Sequence, residues 1–274
     1  MPELPDIEVI SEFLAAHVVG QTIIAVDHVG AIVVRNLLGG DTASVLSGRR
    51  IASSRRRGKF LIPDLDQVAL LAINFMLSGR LMYCSASTKL RVHTYLVLSL
   101  SGGEQLRYTD QTQMGKIYLT EDVGKVPTFS EQGPDALDPA LTLAVFRDRL
   151  RRHPGEIKGS LTNQAFLAGI GNAYADEILY RARVYPFKRR SELEADDIER
   201  IYAAIGTVLT EAMATLRQRS GSDIHLELRD FLLVHGKASQ PCPRCGTSIS
   251  QVAANQRITN FCRSCQPGTL IRQT

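Results

Sequence analysis

The chain has 274 residues, of which 44% are apolar and 22% charged, and its formal net charge is +4. This length suits two domains and a small appendage, and the composition supports hydrophobic cores rather than disorder. No run of about 18 apolar residues occurs, so we expect no membrane span. The first residues are acidic, whereas a signal peptide would be basic and then apolar, so we expect a cytoplasmic protein.

Basic residues are distributed unevenly along the chain. Acid-free basic stretches lie at 49–59 and 181–190, and no Asp or Glu occurs from 237 to 274. Each stretch alone is equally compatible with ordinary solvated surface. Together they indicate an electropositive face that would bind a polyanion.

The first predicted element is a helix over about 4–18, because Ile7, Ile10 and Leu14 recur at helical spacing. Pro2 precedes it, either as a stiff first turn or as the position of a reactive chain amine. From about 22 to 120, short runs rich in β-branched and aromatic residues alternate with Gly, Asp and Ser, which predicts strands. These runs predict an antiparallel β-sandwich domain over 1–125.

Segment 126–140 has three prolines and few apolar residues, so we predict a linker there. Helical patterns follow, and the longest, at 196–219, begins with two carboxylates, which favour a helix N-terminus. We therefore predict a helical domain over 141–236. The remaining segment, 237–274, predicts short strands around a group of cysteines.

Two cysteine pairs, CPRC and CRSC, give the pattern Cys-x2-Cys-x16-Cys-x2-Cys. The predicted metal ligands are Cys242, Cys245, Cys262 and Cys265. This spacing is typical of zinc, and four thiolates leave no open position for water, so we predict one structural Zn²⁺. Two disulfides are the alternative, but they suit a chain with an export signal better. Cys84 stands apart and is interpreted as a small core residue.

The stretch IKGSLTNQAFLAGIGNAYADEILYRARVYP (157–186) interrupts a helical pattern with Gly169, Gly171 and Asn172. A glycine inside a helix costs about 1 kcal/mol relative to alanine, so the pattern predicts a turn between two helices. Such a turn either presents amide groups and Asn172 to a phosphate or only joins the helices.

Arg257 lies in the run QRIT (256–259) between the two cysteine pairs. The zinc site there would carry a formal negative charge, and no acid lies nearby in the sequence. Arg257 is therefore either a partner of the thiolates or a contact to phosphate and groove.

Three parts of the sequence together resemble one known family. The PELP start, the IKGSLTNQ…AGIGNAYADEIL segment and the CxxC…QRIT…CxxC pattern, in this order, closely resemble the formamidopyrimidine-DNA glycosylase/endonuclease VIII family of base-excision repair enzymes. Weaker matches lie at 56–61, 74–81 and 106–119. The resemblance implies an α+β multidomain protein, with an N-terminal antiparallel β-sandwich and helix, a helix–two-turn–helix domain and a C-terminal four-cysteine zinc finger.

The resemblance also implies a bifunctional DNA glycosylase and AP lyase. Such an enzyme removes an oxidised or ring-opened base and cuts the strand by β- or β,δ-elimination. Its partner would be double-stranded DNA with a damaged base or an abasic site, and we expect a monomer. The alternative is a damage-recognition protein that binds DNA without cutting it. An RNA-binding zinc-ribbon protein would leave most of the chain without a role.

By this resemblance the catalytic residues are Pro2, Glu3 and Lys59. Removal of Met1 would leave Pro2 as a secondary amine, and α-amines have a pKa of about 8, against about 10.4 for lysine. Attack of this amine on the sugar C1′ gives an iminium ion, which accepts electrons during elimination. Glu3 would transfer protons to the opened sugar, and Lys59 would assist base loss.

The resemblance assigns phosphate contacts to Lys158, Asn172 and Arg257. Tyr174 would support the glycine turn or pack in the core. Glu177 would orient helix ends rather than touch DNA.

Leu77 and Met114 would fill the space of the flipped base, whose extrusion costs a few kcal/mol. Leu77 stands at the family's usual methionine position. In DQTQMG (110–115), Thr112 and Met114 stand where the 8-oxoguanine enzymes generally have arginine and phenylalanine. Thr112 cannot replace a bidentate guanidinium, although Gln111 or Gln113 would offer an amide.

Asp6, the lesion-site candidate, stands where those enzymes usually have glutamate, which is one methylene longer. Segment 217–231 is also shorter than the loop that closes over their flipped base. We therefore hypothesise an altered or relaxed lesion choice. Oxidised pyrimidines, ring-opened purines and abasic sites are the candidates, with weak selection for the opposite base.

Overall fold

The N-terminal helix α1 spans Leu4–His17 in the computed structural model. Pro5 lies in its first turn, where the missing N–H removes no intrahelical hydrogen bond. Ile7, Ile10 and Leu14 are buried, as their spacing predicts. The structure describes residues 1–27, 29–66, 68–254 and 257–268, and only the backbone of 254 and 257.

Strands β1 to β9 and a short helix follow α1. Their bounds are Ile23–Asp27 (β1), Val34–Asn36 (β2), Thr42–Leu46 (α2), Ile51–Arg57 (β3), Phe60–Leu65 (β4), Ala69–Asn74 (β5), Arg80–Ser85 (β6), Thr94–Leu100 (β7), Glu104–Thr109 (β8) and Lys116–Thr120 (β9). They form one sheet in the order β1-β7-β8-β6 and a second in the order β2-β9-β5-β4-β3. The core contains side chains from both sheets and from α1, including Leu14, Leu71, Leu98 and Tyr108.

The predicted β-sandwich is confirmed, with one departure from the predicted antiparallel pairing. Strands β2 and β9 pair in parallel, with Val34 opposite Ile117. These strands lie far apart in sequence, so no hairpin turn forces them to be antiparallel.

The remaining elements are mostly helical, as predicted. Their bounds are Leu143–Arg151 (α3), Ile157–Thr162 (α4), Asn172–Ala182 (α5), Ala195–Ser220 (α6), Ser250–Ala254 (β10) and Arg257–Phe261 (β11). Strands β10 and β11 pair as an antiparallel hairpin. Among the described residues, no helix is long and apolar enough to cross a membrane.

The chain divides into two compact units. The first comprises Met1–Ser130 and Met213–Glu227, and the second comprises Glu131–Ala212 and the described residues from Leu228 onward. The last turns of α6 and the segment after it therefore belong to the β-sandwich unit. The predicted bounds of the domains and of the linker stay predictions.

Candidate active site

Pro2 is buried and lines a cavity of about 430 Å³, including its open mouth, in the first unit. Its polar lining includes Asp6, Arg80 and Glu227. The Met1 ammonium donates to Glu227 Oε1 at 2.8 Å, and Arg80 pairs with the same carboxylate. The amine end of the chain thus lies against an acid of this cavity.

Glu3 and Asp6 are joined through the start of α1. Glu3 is only 2% exposed, and its backbone N–H donates to Asp6 Oδ2 at 2.8 Å. Asp6 therefore fixes the first turn of the helix while it also lines the cavity beside Pro2.

Lys59 lies in the two-residue turn between β3 and β4 and is half-buried. Gly58 precedes it with a φ of +56°, in the left-handed region that favours glycine. Arg56 Nη1 donates to the Gly58 carbonyl at 3.0 Å, and its Nε donates to Glu8 Oε2 at 2.6 Å. Arg56 thereby ties the turn that carries Lys59 to α1, the helix that follows Pro2.

Leu77 and Met114, the residues expected to fill the space of the flipped base, are 51% and 45% exposed. Thr112 does not extend from its loop as an arginine would. Its Oγ1 lies 3.1 Å from Asp110 Oδ1 and 2.8 Å from Ser78 Oγ. Its hydroxyl is thus engaged with neighbouring protein groups, while Gln111 and Gln113 are exposed.

The segment after α6 packs onto the first unit. Ile224 is 5% exposed and belongs to the sandwich core. Arg91 Nη2 lies 3.1 Å from His225 Nε2, and burial together with Arg91 lowers the pKa of His225. Leu226 and Glu227 line the cavity. The short segment that the sequence singled out therefore forms one wall of the cavity that contains Pro2.

The predicted turn between two helices is present between α4 and α5 in the second unit. Gly169 has a φ of +107°, a conformation that other residues rarely adopt. Gln164 holds the turn, because its Oε1 accepts from Gly169 N at 2.9 Å and its Nε2 donates to the Ile170 carbonyl at 2.7 Å. Sequence reasoning missed Gln164, although an amide before a glycine-rich turn is a recognisable signal.

Lys158 and Asn172 both contact strand β11. Lys158 is 6% exposed, and its Nζ lies 2.8 Å from the Ile258 carbonyl, 2.9 Å from Thr259 Oγ1 and 2.7 Å from Asp176 Oδ1. Asn172 Nδ2 donates to the same Ile258 carbonyl at 2.6 Å. Their phosphate contacts stay predictions, and the Arg257 side chain lies outside the described residues.

Glu177 differs from its expected role at helix ends. Its carboxylate accepts backbone N–H groups of the loop 233–235, from Leu233 at 3.0 Å and from Val234 and His235 at 2.8 Å. Burial raises the pKa of Glu177, and the three donors oppose that rise. Glu177 therefore holds the loop that leads to the first cysteine pair.

Asp176 and Tyr174 occupy the interior beside Glu177. Asp176 is fully buried and accepts from Asn260 N at 3.0 Å and from His235 Nδ1 at 2.8 Å. Sequence reasoning missed Asp176, because two of its partners, His235 and Asn260, lie 59 and 84 positions away. Tyr174 is also fully buried, with Arg229 Nη1 3.3 Å from its hydroxyl, which matches the packing alternative for that residue.

The four predicted ligands of zinc are brought together. Their Sγ atoms lie within 4.8 Å of one another, with Cys242 and Cys265 3.8 Å apart and Cys245 and Cys262 3.4 Å apart. A tetrahedral site with Zn–S bonds of about 2.3 Å has sulfur separations of about 3.8 Å, whereas a disulfide has about 2.05 Å. The donor set therefore fits one closed zinc site.

Tyr180 supports this cluster from α5. Its hydroxyl lies 3.3 Å from Cys242 Sγ, and burial raises the pKa of Tyr180, which keeps the hydroxyl protonated and able to donate. Arg244 lies 4.4 Å above the same ring. The cysteine module is thus packed against α5 by a ring contact and a hydrogen bond to a ligand.

Comparison with known proteins gives a consistent result over the chain. Residues 1–117 match the formamidopyrimidine-DNA glycosylase N-terminal domain, 132–223 its H2TH domain, and 239–268 the zinc finger found in FPG and IleRS. Formamidopyrimidine-DNA glycosylase of Pelotomaculum thermopropionicum is 33% identical, over 97% of this chain and 99% of the relative. That of Symbiobacterium thermophilum is 35% identical, over 97% and 90%.

Solved structures agree with these relatives. The Lactococcus lactis glycosylase bound non-covalently to DNA with an AP site has a TM-score of 0.84 and 28% identity, over 97% of this chain and 100% of that one. A structure of MutM in complex with carbocyclic 8-oxo-G-containing DNA has a TM-score of 0.86 and 28% identity, with the same coverage of both chains.

The fold, the cavity at the N-terminus and the cysteine module define a DNA-repair glycosylase with a zinc finger. The chain belongs to the formamidopyrimidine-DNA glycosylase family. This membership confirms the expected enzyme class, a DNA glycosylase and AP lyase of base-excision repair, and the expected DNA partner. It also confirms the predicted structural zinc.

Proposed function

We propose that the enzyme acts through the amine of Pro2 after removal of Met1. The amine attacks C1′ of the damaged nucleotide, the bond from C1′ to the base breaks, and the base leaves with a proton. The C1′–O4′ bond of the sugar then breaks, O4′ takes up a proton, and an iminium ion forms between Pro2 and C1′. This ion accepts the electrons released when a C2′ proton is removed and the 3′ phosphate departs. A second elimination would release the 5′ phosphate.

The observation that carries this proposal is the position of the N-terminus in the first unit. Pro2 lines the cavity, and the ammonium one residue before it pairs with the cavity's Glu227 at 2.8 Å. Removal of Met1 would therefore leave the Pro2 amine at this cavity, near Glu227. We assign proton transfer to Glu3, which is buried beside it, and assistance of base loss to Lys59.

We propose Lys158, Asn172 and Arg257 as phosphate contacts in the second unit. For Lys158, this role requires exchange of one of its hydrogen bonds, such as that to the Ile258 carbonyl, for one to phosphate, whereas the Asn172 amide has a second N–H beside the one that binds this carbonyl. Tyr174 would support the turn from the core. Location in the cytoplasm and a monomeric state remain the expectations drawn from the sequence.

Lesion choice is the finer part of the proposal. Similar structures include complexes with DNA containing Fapy-dG, 8-oxo-G and an abasic site. We propose ring-opened purines, oxidised pyrimidines and abasic sites as substrates, with weak selection for the opposite base. Two departures support this choice: Thr112, bound to Asp110 and Ser78, cannot act as a bidentate guanidinium, and Asp6 is one methylene shorter than the glutamate that the resemblance leads us to expect.

Borohydride trapping tests the amine mechanism. Wild-type protein incubated with abasic-site DNA and borohydride should give a covalent adduct, and Pro2→Gly should lose it. Pro139→Gly changes an exposed proline in the second unit and should retain the adduct. Tight DNA binding without any adduct in the wild type would instead support the binding-only alternative.

Excision of 8-oxoguanine opposite each of the four bases tests the lesion proposal. Single-turnover rates should vary little with the opposite base, and ring-opened guanine should be excised faster than 8-oxoguanine. Strong activity on 8-oxoguanine only when it is opposite cytosine would contradict this proposal while leaving the amine mechanism intact.

A further inference from the structure

Asp110 is a buried carboxylate that joins two loops of the first unit. It is 1% exposed and accepts from Gly115 N at 2.7 Å and from Thr112 N at 3.1 Å. The Ser78 hydroxyl donates to the same carboxylate. Ser78 follows Leu77 and Gly115 follows Met114. The Asp110 side chain therefore binds the residue that directly follows each of the two exposed apolar residues.

The charge of Asp110 is maintained by these contacts. Burial alone would raise its pKa, but the hydrogen bonds from Ser78, Gly115 and Thr112 lower the pKa overall. The carboxylate therefore accepts from all of its donors at neutral pH. An amide at this position would direct an NH₂ group at some of them.

Lys116 binds the same loop from its other end. Its Nζ donates to the carbonyl groups of Gln113 at 2.9 Å, Met114 at 3.2 Å and Gly115 at 3.1 Å. Gln113 has a φ of +59°, a conformation uncommon for a residue other than glycine. Asp110 and Lys116 thus fix both the N–H and the C=O groups of the loop 110–115.

Tyr108 lies beneath both loops. It is fully buried, and a Cβ atom added to Gly79 or to Gly115 would lie 2.2 Å or 2.0 Å from its hydroxyl. Only glycine allows the two loops to close onto this ring. The Tyr108 ring therefore fills the space between the two loops and the core, and the hydrogen bonds to Asp110 fix the two loops against this ring.

We propose that Asp110 is a positioning residue that holds Leu77 and Met114 in one fixed arrangement, so that both enter the space of an extruded base together. This proposal rests on the proposed function of those two side chains. Fixing them before binding lowers the entropy lost when DNA is bound. The fixed positions of Leu77 and Met114 should affect the rate when a base must leave a base-paired duplex. They should not affect the rate at an abasic site, which has no base to extrude.

The variant Asp110→Asn should distinguish base extrusion from strand cutting. Single-turnover excision of ring-opened guanine from a duplex should slow by about 10- to 100-fold, because small displacements of positioning groups have effects of this size. Fluorescence of a 2-aminopurine beside the lesion, which reports base extrusion, should rise more slowly by the same factor. Strand cutting at an abasic site in single-stranded DNA should stay within about twofold of the wild type.

Three further variants make the test specific. Asp64→Asn removes a carboxylate of the same unit that accepts from Ser53 and Arg55 and should change neither rate. Added to Leu77→Ala with Met114→Ala, Asp110→Asn should have little further effect, since it acts through those side chains. Ser78→Ala removes one donor and should give the same split between substrates, to a smaller extent, even if Asp110→Asn does not fold.

Equal losses on both substrates in Ser78→Ala would overturn the proposal, because they would indicate a general structural or catalytic role. An unchanged excision rate in folded Asp110→Asn would overturn it as well. A wild-type protein that cuts neither substrate would instead refute the proposed function.

Discussion

Replacing Glu177 with glutamine should loosen the loop 233–235 while leaving the rest of the second unit folded. The carboxylate accepts three backbone N–H groups, and glutamine has one oxygen to offer. If that oxygen keeps Val234 and His235, the Leu233 N–H faces the amide NH₂ and loses its acceptor. A buried donor without an acceptor costs about 1–3 kcal/mol, so the part-buried Leu233 N–H costs about 1 kcal/mol, and the two remaining bonds lose their charge assistance.

We therefore expect the opening free energy of this loop to fall by about 2–4 kcal/mol in Glu177→Gln. A tenfold change corresponds to about 1.4 kcal/mol, so amide exchange in the loop should accelerate by about 30- to 1,000-fold. Hydrogen–deuterium exchange of a peptide covering 231–236 measures this change.

Glu199→Gln is the matched control for this measurement. Glu199, on α6, is half-exposed and forms an ion pair with Arg147. Such surface ion pairs contribute at most about 1 kcal/mol to the free energy of unfolding. Exchange in the loop should be unaffected by that variant. If exchange in Glu177→Gln stayed within about threefold of the wild type, the three hydrogen bonds would not stabilise the loop as argued.

Three other predictions concern the second unit. Cys245→Ser should lose zinc and weaken DNA binding while the sandwich stays folded. Metal content, DNA titration and circular dichroism measure these three effects, and unchanged DNA affinity would refute a role of the zinc finger in binding. Tyr180→Phe should release zinc to a chelator about tenfold faster, because it lacks the donor to Cys242, and an equal rate would exclude that contribution. Burial tends to raise the pKa of Asp197, but its contacts with Lys188, Glu194 N and Arg200 lower the pKa overall. The stabilisation that ionised Asp197 gives is therefore present above a pH of about 4 and is lost as the pH falls through its folded-state pKa. The unfolding free energy of Asp197→Asn should therefore fall less steeply between about pH 5 and 2 than that of the wild type. Parallel plots of unfolding free energy against pH would contradict this assignment.

Local patterns predicted most elements because each depends on neighbouring residues. The period of Ile7, Ile10 and Leu14 indicated α1, and the cysteine spacing indicated the cluster that the structure assembles. Strand β3, Ile51–Arg57, is rich in serine and arginine, so the pattern of β-branched and aromatic residues does not indicate it. Pairing with β4 supplies the hydrogen bonds that make it a strand.

Contacts between residues far apart in the chain could not be predicted from the sequence, for a physical reason. The burial of Ile224 in the sandwich core and the pairing of Glu227 with Arg80 join residues more than 100 positions apart. Such contacts depend on how elements pack, which a periodicity does not encode. For the same reason, the sequence indicated Lys158 as a phosphate contact but not its bond to Asp176.

The proposed mechanism depends most on Pro2 as the nucleophile. Peptide mapping by mass spectrometry of the borohydride-trapped adduct with abasic-site DNA tests this directly. We expect the mature chain to begin at Pro2 and the adduct to lie on the amine of that residue. A chain that retains Met1, or an adduct on Lys59 or another lysine, would contradict the account.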